Sequence, residues 1–285
     1  MPEMDDPRGA ERLEERAARL SAGVMRPHSP SARSLSDWRP QALAFENAKE
    51  VQMKTIAIMQ PYFFPYIGYW QLISAVDDFI ILSDVNFIKG GWIHKNRISV
   101  DNREQYLIRP VKGASQNKLI DSLAFVNDPA QDSNLLKTLD YAFRDAPCYA
   151  QIKPFIRDLL LYPEDNVADY LENQLVEVSR YLGIKTRFHR SAEFRGAIHA
   201  PGQRGIIELC KHLGAARYIN LPGGRALYDQ ALFREEGIEL LFLEADLDRI
   251  KAQFGCEHPD YSILELMARY TPAQIGEMLQ CRRLT

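Results

Sequence analysis

From Thr55 onward, short apolar runs alternate with amphipathic segments. Two of these runs, Ile56–Met59 and Phe79–Leu82, are continuously apolar, as strands covered on both faces of a sheet must be. Between them Ile67–Val76 has helical spacing. The runs WIHKNRISV and EQYLIRPV flank Asp101-Asn102-Arg103, a turn sequence that predicts a hairpin, extended by LIDSLAFV. Pro129–Arg144, Tyr149–Leu161 and Val167–Leu182 carry apolar residues at three- and four-residue steps, with Gly183 stopping the last of them. Strand and helix then alternate through Lys185–His189, Gly205–Leu213, Arg217–Leu221, Leu227–Glu236 and Glu239–Glu244. Helices at Ser262–Tyr270 and Pro272–Leu279 close the chain. The expected fold class is α/β, a Rossmann-like, mainly parallel sheet with a β-hairpin insertion and a helical middle segment. No internal repeat is visible.

Residues 1–52 break this pattern. They are rich in Arg, Glu, Ala, Ser and Pro and have too little periodic apolar surface to offset chain entropy, so a disordered or weakly helical extension is expected, with one short helix in AERLEERAARL. The α/β domain is expected over 53–285, and Met53, directly before the first core strand, is a candidate translation start.

Composition narrows the function classes. A chain of 285 residues, 46% hydrophobic and 26% charged, has the balance of an ordinary globular protein. A net charge of −3 lacks the cationic footprint of a nucleic-acid binder, so no nucleic-acid partner is expected; a local pocket for one phosphorylated ligand would hardly change that sum. Cys148, Cys210, Cys256 and Cys281 form no C-x-x-C pair and no histidines have metal-ligand spacing, so no metal site is expected. No stretch approaches the roughly 20 apolar residues of a membrane span, and no signal-peptide core is present. A cytoplasmic protein acting on a small-molecule substrate is expected, with a homo-oligomer left open.

Three segments carry candidate chemistry. The first runs from Gln60 to Tyr69, directly after a strand: Gln60, Pro61, Tyr62, Tyr66, Gly68 and Tyr69 are candidate binding residues, with Tyr66 also a catalytic candidate. Pro65 suits a helix's first turn, whose free amides would attract a phosphate, and Gly68 suggests close approach of ligand or backbone. For Phe63 and Phe64 an aromatic plug over the sheet edge is an equal reading. The second is Asp84 with Lys89, Trp92, His94, Lys95, Asn96 and Arg97. At a strand end, Asp84 can orient a sugar hydroxyl, accept a proton or help hold Mg²⁺, the one cofactor left open. His94 is the other catalytic candidate, and Arg97 has the planar fork that suits phosphate. Alternation would put His94 and Asn96 on one strand face and Lys95 and Arg97 on the other, and a solvated hairpin is the competing reading. The third is Gly223-Gly224 with Tyr228, a glycine pair at a strand-to-helix turn where amides could approach an anion; Arg204 could reach the same edge.

Two resemblances follow. Tyr66-Ile67-Gly68-Tyr69, opening a helix after a strand, is similar to the start of the HIGH-motif nucleotidylyltransferases. A tyrosine cannot carry the imidazolium charge of that motif's histidines, so the resemblance implies fold kinship more than mechanism. Ile58-Met59-Gln60-Pro61-Tyr62, Pro65-Tyr66-Ile67-Gly68-Tyr69, Asp84-Val85-Asn86-Phe87, Trp92 with Asn96-Arg97, and Tyr218, Gly223-Gly224 and Tyr228 resemble the WbqC-like family of bacterial surface-polysaccharide biosynthesis. That resemblance implies a transferase step on a nucleotide-activated sugar, an amino-bearing one included. Nucleotidyl transfer and non-catalytic binding of a sugar nucleotide are the alternatives.

Overall fold

The computed structural model describes residues 53–285, so the extension before Met53 and its expected helix lie outside the described residues. Five parallel strands form the sheet: β1 (Thr55–Met59), β2 (Asp78–Ile81), β5 (Arg187–Arg190), β6 (Arg217–Asn220) and β7 (Glu239–Ala245). A sixth, β8 (Arg282–Leu284), runs antiparallel on the β7 edge. The order is β5-β2-β1-β6-β7-β8. The chain builds outward from β1 through β2 to β5, returns to the other side of β1, and builds outward again. The reversal between β1 and β6 is the topological switch point of a doubly wound sheet.

Alternate residues of the strands feed two cores. Ala57, Phe79, Ile81, Ile219 and Leu243 face one core, shared with the helices α1 (Ile67–Ile73), α2 (Pro129–Phe143), α3 (Tyr149–Leu160), α4 (Val167–Tyr181), α8 (Ile263–Arg269) and α9 (Pro272–Met278). Ile56, Ile58, Ile80, Tyr218, Leu240 and Phe242 face the other, under α5 (Gly202–His212) and α6 (Gln230–Glu235). Cys210 lies fully buried in this second core, as its place on the apolar helix face implies.

The hairpin is β3 (Lys95–Val100) with β4 (Arg103–Ile108), joined by Asp101-Asn102 at φ 49° and 59°; a two-residue turn with both φ positive matches the twist of the strands. LIDSLAFV does not extend it as a third strand. Ile120–Ser122 is a 3₁₀ turn, and the flanking residues make only isolated bridges, Asn86 to Leu119 and Val111 to Phe125. The helix expected over Leu227–Glu236 is shorter, because Pro222–Leu227 forms a 3₁₀ helix and Asp229 starts α6 by accepting from the Ala231 amide. Two elements escaped the pattern: α7 (Leu247–Phe254) and β8. Among the described residues no helix is long and apolar enough to cross a membrane.

Candidate functional site

The carboxyl ends of β1, β2, β5 and β6 bring Gln60, Asp84, Ser191 and Leu221 to one edge of the sheet. At this edge the sheet opens. β1 pairs with β2 as far as Met59 and Ile81, and β6 with β7 as far as Asn220 and Phe242, yet β1 and β6 pair only at Thr55–Arg217 and Ile56–Tyr218. Beyond Ile56 the two central strands are no longer paired, at the place where the topology reverses and where open α/β sheets take their ligands.

One wall is the loop that follows β1. Its backbone is fixed from inside: Phe64 has φ 42°, a left-handed conformation that a bulky residue adopts only under constraint. Asn96 Nδ2 donates to the carbonyls of Phe63 and Phe64 at 3.0 and 2.8 Å, Ser262 Oγ to that of Phe64 at 2.9 Å, and Gln174 Oε1 accepts the Phe64 amide at 2.6 Å. All three polar side chains are buried. Phe63 and Phe64 are themselves buried in the core, packed edge to face.

The outer side of the loop carries free polar groups. Tyr69 Oη donates to the Gln60 carbonyl at 2.7 Å, and the Tyr62 ring lies 5.4 Å from the Tyr69 ring. Among the described residues the Tyr62 and Tyr66 hydroxyls and the Gln60 side-chain amide have no hydrogen-bond partner, and all three side chains are half-buried. Burial raises the Tyr62 phenol; burial, then the neighbouring Tyr62, pushes Tyr66 up to about 12 and Tyr69 well above its ordinary value. These phenols are neutral hydrogen-bonding groups.

The helix start expected to receive a phosphate is covered. The Tyr66 ring lies across Gly68, where an added Cβ would meet Tyr66 Cε2, Cζ and Oη at 2.5 Å, and every residue of the seven-residue α1 is buried. Gly68 makes room for this ring, so the first turn offers no open anion seat.

The opposite wall follows β6. Asn220 accepts from the Leu221 amide at 2.8 Å and donates to Tyr228 Oη at 3.1 Å, which lies 3.3 Å from Tyr218 Oη. Gly224 is required here, since a Cβ would stand 2.7 Å from Asn220 Nδ2. Gly223 and Gly224 sit inside the 3₁₀ helix, not in an open loop. Arg204 is exposed on the first turn of α5, whose N-terminal end faces this edge.

Asp84 stands beyond β2. Its carboxylate accepts from Ser191 Oγ and pairs with Arg195 Nε at 3.4 Å, while Arg195 Nη2 reaches Asp121 at 3.0 Å. The two carboxylates thus share one arginine, with Ser191 on Asp84, and do not present an open donor set. Among the described residues no group of three or more His, Cys, Asp or Glu is placed to hold a metal ion, and no step below is routed through Mg²⁺.

The remaining candidates lie elsewhere. Arg97 bridges Glu104 and Asp260 at 2.7 and 2.8 Å and stacks on Tyr261 and Trp92 at 4.7 and 5.8 Å, a staple between the hairpin and the segment before α8. Lys89 is exposed on its loop. His94 packs 5.4 Å from Phe87, and burial, then the charge of Lys95, lowers its pKa; among the described residues its imidazole makes no hydrogen bond to Asp84 or Tyr66. Asn96 is committed to the Phe63–Phe64 backbone. Sequence reading missed Ser191, Arg195, Asp121 and Asn220 as partners of the edge. The position of Ser191 just after the strand expected at Lys185–His189 was the available signal for it.

Comparison with known proteins adds a lineage. The model of the WbqC-like protein family matches residues 60–277. The uncharacterized protein Rv1507c of Mycobacterium tuberculosis is 30% identical over 235 residues, 81% of this chain and 100% of the relative. No solved structure matches.

Proposed function

The chain belongs to the WbqC-like protein family, and on that premise we propose that it performs a transferase step on a nucleotide-activated sugar in bacterial surface-glycan, O-antigen-type, biosynthesis. The parting of β1 and β6 at the switch point carries the reading, because open α/β sheets bind nucleotide-bearing ligands there. The saccharide rests against Gln60, Tyr62 and Tyr66. The diphosphate lies toward Arg204 and the first turn of α5. Asp84, held by Ser191 and Arg195, orients or deprotonates the acceptor hydroxyl.

A second reading, a non-catalytic sugar-nucleotide-binding protein, is favoured by one observation: both Asp84 oxygens are already engaged, one by Ser191 and one by Arg195. Nucleotidyl transfer has less support, since neutral phenols stand where the HIGH motif has histidines.

The test is a thermal-shift screen of the full chain against nucleotide sugars, nucleoside triphosphates and acyl donors, followed by mass spectrometry of the binder incubated with glycan acceptors. Stabilisation with group transfer supports the transferase, and stabilisation without turnover supports the binding protein. Pyrophosphate release from a triphosphate and a sugar phosphate decides for nucleotidyl transfer. A screen in which no sugar nucleotide stabilises the protein or reacts removes the proposal.

A further inference from the structure

The wall formed by Gln60, Tyr62 and Tyr66 has a chemical character of its own. Each of the three side chains ends in a group that can donate or accept a hydrogen bond, and among the described residues none has a partner. The groups are half-buried, so a ligand that lacks complementary atoms leaves them unpaired and partly desolvated, which is unfavourable. Aromatic rings stand among them, with Tyr62 against Tyr69 at 5.4 Å, and supply the apolar face on which the C–H side of a pyranose can pack. The backbone beneath is held by Asn96, Gln174 and Ser262, so the wall is preorganised.

Equally telling is what does not enter. Burial raises all three phenols, and Tyr62 adds to the rise of Tyr66 and Tyr69. No cation–π contact among the described residues involves these tyrosines, and no charged side chain is hydrogen-bonded to them or to Gln60; of the charged groups of this edge, Asp84, Asp121 and Arg195 are tied to one another and Arg204 lies exposed on α5. An ammonium set against the wall itself would meet phenols and an amide but no carboxylate, and a carboxylate would meet no cation; Asp84 and Arg204 are assigned to the acceptor and the diphosphate, so a charge on the ring would lose hydration without compensation.

We infer that this wall is a subsite for an uncharged sugar ring, one that takes hydroxyl and acylamido substituents, admits an amino sugar only with its nitrogen acylated, and rejects a uronic acid. The inference rests on the nucleotide-sugar reading and narrows its substrate class.

Free glycosides test the subsite separately from the nucleotide. Saturation-transfer NMR on the full chain would compare the methyl glycosides of N-acetylglucosamine, glucosamine and glucuronic acid. The expected result is binding of the N-acetyl glycoside, with both charged glycosides weaker by about tenfold or more, and loss of that binding in Gln60→Ala and in Tyr66→Phe. Circular dichroism reports whether each variant keeps its fold. Gln60→Glu, which keeps the shape and adds a negative charge, should shift the preference toward glucosamine. Equal or tighter binding of a charged glycoside, or no glycoside binding while a nucleotide sugar still stabilises the protein, overturns the inference and leaves the broader reading standing. Failure of every nucleotide sugar in the thermal-shift screen removes the reading, and the inference with it.

Discussion

Asn96 Nδ2 donates to the Phe64 carbonyl at 2.8 Å across 32 positions of sequence, and so holds a left-handed phenylalanine in place in the loop after β1. The bond is buried and shares its acceptor with Ser262 Oγ. Asn96→Ala leaves the Phe63 carbonyl without this donor and relaxes the Phe64 conformation. Its expected cost is about 1–3 kcal/mol, read as a lower denaturation midpoint in urea, together with weaker binding of whichever sugar nucleotide the screen identifies.

Gly68 and Tyr66 are coupled by the clash that a Cβ at position 68 would make with the phenol ring. Gly68→Ala should turn the ring out and lower stability by about 1–3 kcal/mol. In a Tyr66→Ala background the same change has no ring to displace and gains helix propensity, so it should be neutral or favourable by up to about 1 kcal/mol. Thermal denaturation of the four members of this cycle measures the coupling, and additivity would show that the ring does not occupy the space Gly68 leaves.

Asp84→Asn keeps the shape of the side chain and its place beside Ser191 and removes the charge paired with Arg195. If Asp84 handles the acceptor proton, sugar-nucleotide affinity should stay within about threefold while transfer falls by about a hundredfold or more. Equal turnover by variant and wild type would strip Asp84 of that role.

Stability at acid pH should depend on Asp78 at the opposite, amino-terminal edge of the sheet. Burial alone would raise this carboxyl, but the hydrogen bonds and charges of Arg187 and Lys54, each at 2.6 Å, hold it below its ordinary value. A lowered carboxyl stabilises the fold above its unfolded pKa of about 3.9, and that contribution is lost as pH falls through the lower folded value. Asp78→Asn should therefore cost about 1–3 kcal/mol at pH 7, and the gap to wild type should close below about pH 4 in pH-dependent urea titrations.

Glu265 should behave with the opposite sign. Burial raises its carboxyl even though the Ser99 amide and Arg269 both favour the charged form. A raised carboxyl favours folding below its unfolded pKa, and this advantage fades as pH rises through the folded value. Glu265→Gln, which can still accept from Ser99, should flatten the loss of stability between about pH 4 and pH 7, checked by the same titrations.

The strands were legible because burial on both faces leaves no polar alternation to read: Ile56–Met59 differs from β1 by one residue, and the hairpin turn falls on Asp101-Asn102 as expected. α7 was missed although Asp246 caps it and Gly255 ends it at φ 67°, because only Ile250 of its eight residues is buried and the apolar signal is thin. β8 could not be read from Arg282-Arg283-Leu284, whose extended form comes from pairing with β7 and not from composition. Of the candidate site, the local part was legible: the loop from Gln60 to Tyr69 directly follows β1, as the pattern of the sequence predicts. Its remaining parts depend on partners far along the chain: Arg97 turned to Asp260, Asp84 to Ser191 and Arg195, and Asn96 to Phe64, distances in sequence that no spacing rule spans.

The knot at Phe64 also orders the assembly of the molecule in time. Its three supports come from positions 96, 174 and 262, so a nascent chain emerging from the ribosome holds the loop sequence long before it holds the last clasp. Pairings of such long range form late, after the entropy of closing wide loops has been overcome. The fixed backbone of this loop is therefore a late feature of the fold, and fragments ending before Ser262 should lack the last of its clasps.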